Sequence, residues 1–131
     1  MFFAISRKAA EESALKTSFS NSVVSEIEFI KAKGYKSLNS LLGSKNSLLV
    51  ELFIEDGKIK IDGEEVNLDP NSSINTIMNL TGWSSSLSNL GADKGEIEIT
   101  TVSGISNLLK VRVRVEWGSG KNYEIITYIS L

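Results

Sequence analysis

The sequence contains no cysteine and no histidine, and only one of its 131 residues is proline. Without cysteine there is no disulfide and no thiolate nucleophile, and without histidine there is no imidazole base. The two absences also exclude every metal site that is built on cysteine or histidine ligands. Most enzyme mechanisms are therefore excluded, and we expect no catalytic activity and no cofactor.

The sequence also lacks a large excess of charge of one sign, and it lacks a long apolar run. The 14 basic and 16 acidic residues leave a net charge of -2, whereas domains that bind nucleic acid are usually basic, so no specific nucleic-acid partner is expected. No apolar run approaches the ~20 residues of a membrane span, and there is no complete signal peptide. With 41% hydrophobic and 23% charged residues, we expect one globular domain over residues 1–131.

The first third of the chain has the pattern of one long helix, from about residue 3 to residue 33. This stretch lacks glycine and proline, and its apolar residues recur every three or four positions. Gly34 is the residue type that accepts the left-handed conformation beyond a helix end. A polar connecting loop over residues 34–47 follows, with a candidate helical turn at residues 38–42. The stripe that we expect to face the core consists of Leu15, Phe19, Val23, Ile27 and Ile30.

The predicted helix is longer than the domain is wide. A helix over residues 3–33 is ~46 Å long, whereas a domain of this size is about 36 Å across. The apolar stripe is strong from Leu15 onward and diffuse before it. We therefore expect the first turns to project from the domain, with Phe2, Phe3 and Ile5 forming an assembly surface at the helix tip.

From residue 48 onward the apolar period changes to two, which predicts strands. The segment over residues 69–94 is rich in serine and asparagine, and we interpret it as ordered and irregular with a candidate helical turn near residues 73–79. The predicted fold class is α+β, with the long helix packed on a mainly antiparallel sheet. The expected strands cover residues 48–55, 58–61, 65–68, 96–102, 109–117 and 123–131.

Two interpretations are open for the basic residues of the strand over residues 109–117. Arg112 and Arg114 could form a partner or anion surface, to which Trp83 in the irregular segment could contribute. Alternatively, they lie opposite acidic residues, with Glu96 and Glu98 on one side or Glu124 on the other. The nearly balanced charge favours the second interpretation.

Candidate ligand chemistry is sparse. Asp69, Asn71 and Ser73 offer oxygen ligands at alternate positions, as calcium requires, but the glycine and bidentate glutamate of a calcium loop are missing. A plain Asp/Asn turn is favoured. Neighbouring glutamates such as Glu26 and Glu28 do not face each other on a helix, so they predict no acid–base pair.

Two stretches resemble minor pilins and pseudopilins. Residues 9–38 are similar to the second half of the long helix of these proteins, with an acidic "E-x-(aliphatic)" segment within residues 25–33, a Gly-Tyr at residues 34–35 and a short polar connection. Residues 111–118, with a "V-x-V-x-W" strand and a glycine turn, and the apolar strand over residues 123–130 are similar to the last hairpin of the same group. Residues 48–95 carry no such resemblance.

The resemblance implies a structural subunit of a bacterial type IV pilus or type II secretion filament, acting in filament assembly or partner recognition. Its partners would be other pilin or pseudopilin subunits. It would be anchored in the inner membrane through an amino-terminal half-helix missing here, with the domain on the outer side of that membrane. In the filament the domain would be extracellular or periplasmic. On this expectation Met1 marks the start of a truncated domain.

The alternative is a soluble helix-plus-sheet domain that binds a ligand or acts as an inhibitor. Its sheet would curve around the helix to form a pocket lined by Trp83, Trp117, Tyr123 or Tyr128. A buried tryptophan is more often part of a core than a pocket wall. The sequence that precedes Met1 in the native gene discriminates between the two hypotheses.

Overall fold

The computed structural model describes the backbone of residues 2–131 and the side chains of residues 13–131. The predicted α+β class is confirmed, because a long amino-terminal helix packs on a six-stranded antiparallel sheet. The elements in chain order are α1 (Phe2–Leu42), β1 (Ser47–Phe53), β2 (Lys58–Ile61), β3 (Glu64–Val66), α2 (Ser73–Met78), α3 (Leu80–Leu90), β4 (Lys94–Thr101), β5 (Leu108–Trp117) and β6 (Lys121–Ser130).

The sheet places one face against the helices and the other toward solvent. Its strands lie in the order β3-β2-β1-β4-β5-β6, and each neighbouring pair is antiparallel. Along β5, buried and half-buried residues alternate. Val111, Val113 and Val115 therefore belong to the inner, helix-covered face, and Arg112 and Arg114 belong to the outer face.

The helix α1 is interrupted at Gly34, where the sequence pattern predicts that it ends. Gly34 has φ 84° and ψ 167°, and nothing lies within 4 Å of the position of a Cβ. The left-handed φ, rather than crowding, therefore accounts for glycine here. The helical turn predicted at residues 38–42 is confirmed, but the loop expected before it is wrong for residues 35–37, because helix resumes directly after Gly34. This return buries Leu38 and Leu42 in the core.

The helical turn predicted near residues 73–79 is confirmed as α2, whereas the irregular structure expected for the rest of residues 69–94 is wrong over α3. The Oγ of Ser72 accepts a hydrogen bond from the backbone N–H of Asn75 and caps α2. Asn79, with φ 51°, joins the two helices in the left-handed conformation. The serine and asparagine residues that suggested a loop belong to the caps and exposed faces of two short helices. The residues that these helices bury are Met78, Leu80, Trp83 and Leu87.

The predicted core stripe of α1 is confirmed for four of its five residues. Phe19, Val23, Ile27 and Ile30 are buried. The prediction is wrong for Leu15, whose side chain is 37% exposed. The helix thus joins the core at Phe19, one turn later than the apolar period indicates.

Candidate assembly surface

The end of the domain at which α1 leaves the sheet is the candidate site. The five consecutive residues 13–17 are all exposed, and Phe19 is the first buried residue of the described side chains. Because an α-helix turns once in about 3.6 residues, five exposed positions cover every direction around its axis. Residues 13–17 therefore form a helical turn that projects from the domain. The expected tip residues Phe2, Phe3 and Ile5 have side chains outside the described residues.

The first turn of α1 with a buried residue is held against the sheet by aromatic stacking. The rings of Phe19 and Trp117 are stacked, with their centroids 4.4 Å apart and their planes inclined by 23°. Such a pair is stabilised beyond the apolar area that it buries. The stack joins α1 to the end of β5 and positions the projecting turn beside the turn that links β5 to β6.

A groove of about 270 Å³ lies between the projecting turn and this hairpin. We call it the helix-base groove. Its walls contain the buried Trp117 and the partly exposed Leu15, and Lys16 and Lys121 provide the cationic groups. Its size suits one or two side chains of a protein partner better than a drug-sized ligand. The lining residues are Leu15, Lys16, Trp117, Lys121 and Asn122.

Arg112 is paired with acidic residues on both sides of β5, and Arg114 is paired with Glu124 on one side, so the charge-pair interpretation is confirmed for both arginines. Nη1 of Arg112 lies 3.0 Å from Oε2 of Glu96 and 3.4 Å from Oε1 of Glu124, and its Nε lies 3.5 Å from Oε1 of Glu98. Nη1 of Arg114 lies 3.7 Å from Oε1 of Glu124. These pairs leave little cationic charge for a partner or an anion.

Lys94 extends this network across the next strand. Its Nζ lies 2.7 Å from Oε2 of Glu51 and 2.8 Å from Oε1 of Glu96, two carboxylates that are direct cross-strand neighbours. Partial burial alone would lower the pKa of Lys94, but its hydrogen bonds to both carboxylates outweigh burial and raise the pKa. Burial likewise would raise the pKa of Glu96, but its bonds to Lys94 and Arg112 lower it. The outer face is therefore a self-neutralised ionic network.

Trp83 is part of the core, not of a partner surface as expected. Its side chain is buried, and its Nε1–H donates a hydrogen bond to Oγ of Ser22 over 3.0 Å. The bond ties α3 to α1. The sequence interpretation missed this role because it placed Trp83 in an irregular surface segment.

The aromatic residues of the ligand-binding alternative do not converge. Trp83 and Trp117 are buried. Tyr123 pairs with Val115 on the inner face of the sheet, whereas Tyr128 pairs with Lys110 on the outer face. These residues therefore line no common pocket within the described part of the chain.

The calcium candidates form an ordinary turn. Oδ1 of Asp69 accepts the backbone N–H of Asn71 over 2.9 Å, and the Asp69 carbonyl accepts the N–H of Ser72 over 3.0 Å. Ser73 begins α2. Among the described residues, no group of three or more acidic residues is placed to hold a metal ion. The interpretation as a plain Asp turn is confirmed.

Sequence reasoning missed Glu26, whose side chain is only 3% exposed. Its Oε2 has no hydrogen-bond partner among the described residues. Burial raises the pKa of Glu26 to about 9, so the carboxyl group is neutral at pH 7. A signal was present, because Glu26 lies three residues after Val23 and four before Ile30, on the side of the helix that enters the core.

Among the residues that the structure describes, no helix combines the length and the apolar character needed to cross a membrane. Comparisons with protein-family models, with curated proteins and with solved structures found no match to this chain.

Proposed function

We propose that this chain is a structural subunit of a type IV pilus or type II secretion filament, a minor pilin or pseudopilin. The observation that carries the proposal is the exposed turn of α1 over residues 13–17. This turn lies within a helix that begins at Phe2, and Phe19 is the first buried residue among the described side chains. The subunit acts by assembly, with no catalytic step.

The energetics of helices favour this interpretation. Most of the stability of a helix in a protein comes from packing of its apolar face, and short helices without such packing are marginal in water. The turn over residues 13–17 has little such packing on its own domain, because all five residues are exposed and Leu15 is only partly covered. Packing against the corresponding helices of neighbouring subunits stabilises this segment and covers its apolar side chains.

The location and partners follow from this role. Before assembly the subunit is held at the inner membrane through a segment that continues α1, with the domain on the outer side. After assembly it lies in a periplasmic or extracellular filament, and its partners are other pilin or pseudopilin subunits. The soluble binding-domain alternative has less support, because Trp117 is the one of its four aromatic residues that lines the helix-base groove.

A matched pair of variants tests the proposal in the source cells. Leu15 and Val24 are both aliphatic residues of α1, with side chains 37% and 42% exposed. Leu15→Asp and Val24→Asp should each leave the domain folded. In the full gene product, Leu15→Asp should abolish copurification with filaments sheared from the cells, while Val24→Asp retains it.

Two results would contradict the proposal. One is a full gene product that never copurifies with filaments or with other pilin-like subunits. The other is a coding sequence without an apolar stretch of about 20 residues upstream of Phe2. Either result would leave the projecting turn without an assembly role.

A further inference from the structure

The two edges of the sheet differ in length and in charge. One edge is β3 (Glu64–Val66), which has three residues, two of them exposed glutamates. Short, charged edge strands protect a sheet against pairing with another chain. The other edge is β6, which has ten residues and no proline, and its charged residues are Lys121 and Glu124 alone. The edge formed by β6 is therefore long and lacks this protection.

The backbone of β6 offers a row of donors and acceptors at this edge. The N–H of Leu131 donates a hydrogen bond to the carbonyl of Asn107 over 3.0 Å, which continues the β5–β6 ladder. Because backbone direction alternates along a strand, the odd-numbered residues of β6 bond to β5, and the even-numbered ones point to the free edge. Among the described residues, no backbone hydrogen bond reaches these edge groups. The row matches the backbone of one further extended strand.

The side chains beside these edge groups are largely apolar. Ile126 and Tyr128 lie on the outer face and are 43% and 57% exposed. No other strand in the described part of the chain carries an exposed large apolar residue. The carboxylate of Glu124 lies 3.4 Å from Arg112 and 3.7 Å from Arg114, so it already has cationic partners. An uncharged apolar segment therefore meets no unpaired charge along this edge.

We propose that the edge of β6 binds an extended segment of a partner protein as a seventh strand, antiparallel to β6. The segment carries β-branched or aromatic residues at the two positions opposite Ile126 and Tyr128, because such cross-strand pairs stabilise a sheet. Its backbone exchanges hydrogen bonds with the even-numbered residues of β6. The partner segment is thus uncharged and apolar at its paired positions, and it has no proline there.

A second copy of this chain is a less suitable occupant than a different protein. Antiparallel pairing of two β6 strands places a twofold axis perpendicular to the sheet, so the two α1 helices run in opposite directions. Subunits held at one membrane through α1 have these helices in the same direction, a step that rests on the proposed function. The strand β3 of another copy is too short and too acidic to cover β6.

Amide hydrogen exchange measured by NMR on the 131-residue chain tests the proposal. The probe is a short capped peptide in which valine and threonine alternate, with one lysine beyond each end, at millimolar concentration. We expect exchange at the amides of Glu124, Ile126 and Tyr128 to slow at least about tenfold. The amides of Ile125 and Thr127 already bond to β5 and should not change. The matched control is the same peptide with N-methyl groups on the amides that face β6, which should protect none of these residues.

Proline at an edge position gives a second test. Tyr128→Pro removes an N–H that points away from β5, a position at which edge strands tolerate proline. It should abolish the protection of Glu124 and Ile126 by the peptide, whereas Tyr128→Thr should retain it. Unchanged exchange at the edge amides with the unmethylated peptide would overturn the proposal.

The same measurement without peptide separates the two occupants. Protection of the edge amides that rises with protein concentration would identify a second copy as the occupant, and it would overturn the assignment to a partner protein. Exchange that is independent of protein concentration is the expected result. Copurification with filaments tests the proposed function separately.

Discussion

The two faces of the sheet deal with charge in opposite ways. On the outer face, Arg112 and Lys94 each contact at least two carboxylates, and the network neutralises itself. Beneath the inner face, Glu26 is buried in α1 without a partner for Oε2 in the described residues. The helices α2 and α3 that pack on α1 contain no charged residue. Carboxylates on the outer face are therefore stabilised by cationic partners. The carboxyl group of Glu26 beneath the inner face is accommodated in its neutral, protonated form.

The largest expected loss of stability comes from a charged side chain among the buried residues of α1. Phe19→Asp or Ile27→Asp would place an unpaired carboxylate in the core, which costs more than about 4 kcal/mol and should unfold the domain. Thermal unfolding followed by circular dichroism measures the loss. Leu15→Asp, at a partly exposed position, is the control and should cost no more than about 1–2 kcal/mol. An unchanged melting temperature for Phe19→Asp would contradict the packing of α1 on the sheet.

The second effect is a decrease in the stability of the folded domain as the pH rises, which the buried Glu26 produces. The pKa is about 9 in the folded domain against 4.5 for the ordinary group, so between these values the folded state binds the extra proton. Stability from the neutral carboxyl is fully present below about pH 4.5 and is lost as the pH rises through about 9. Glu26→Gln should remove this decline and be more stable than the wild type at pH 8, by an amount on the order of a few kcal/mol.

Urea unfolding at several pH values measures this pH-dependent part of the free energy of unfolding. The proteins compared are the wild type, Glu26→Gln and Glu28→Gln. Glu28 lies on the exposed side of the same helix, so its variant should keep the decline of the wild type. If Glu26→Gln and Glu28→Gln decline equally between about pH 5 and about pH 9, the buried acid is not the cause.

The third effect tests how tightly the inner face is packed. A Cβ on Gly95 would lie 2.6 Å from Cδ1 of Leu87 and 2.9 Å from the ring of Trp83. The leucine methyl can move, but the indole ring is held by its bond to Ser22. We expect Gly95→Ala to cost about 1–3 kcal/mol in urea unfolding. A neutral or stabilising substitution would indicate that α3 lies farther from β4.

The smallest effect concerns the outer face. Arg112→Met would leave Glu96, Glu98 and Glu124 with fewer cationic neighbours, and we expect a loss of about 1 kcal/mol at pH 7. The pKa of Glu96 is lowered, so its stabilising contribution is present above its ordinary pKa and disappears as the pH falls through the lowered value. The difference between variant and wild type should therefore shrink in acid. A difference that stays constant at low pH would exclude the ionic network as its source.

The sequence pattern predicted regular elements better than it predicted their limits. Alternation identified the strand over residues 109–117 and the acidic neighbours of its arginines, because side-chain direction in a strand follows directly from position. The pattern indicates α2 as a helical turn near residues 73–79 but misses α3, because short helices depend on burial of residues such as Trp83. Local propensity does not report that burial.

The candidate site was predictable only in part. The projection of α1 followed from its length, but the position at which it leaves the sheet depends on where β5 ends. The apolar period alone therefore places Leu15 in the core, although its side chain is partly exposed. The helix-base groove combines Lys16 with Trp117 and Lys121, which are about a hundred residues apart in sequence and meet only through the tertiary fold. The exclusion of Glu26 from solvent likewise depends on α1 packing against its neighbouring elements.

The most direct test of the account is the accessibility of the projecting turn in assembled filaments. Ala14→Cys and the matched control Val24→Cys are labelled with a maleimide in the free domain and in filaments of the full gene product. The account predicts fast labelling of both residues in the free domain, and strong protection of residue 14 alone in filaments. Equal labelling of residue 14 in the two states would contradict the claim that this turn of α1 is the assembly surface.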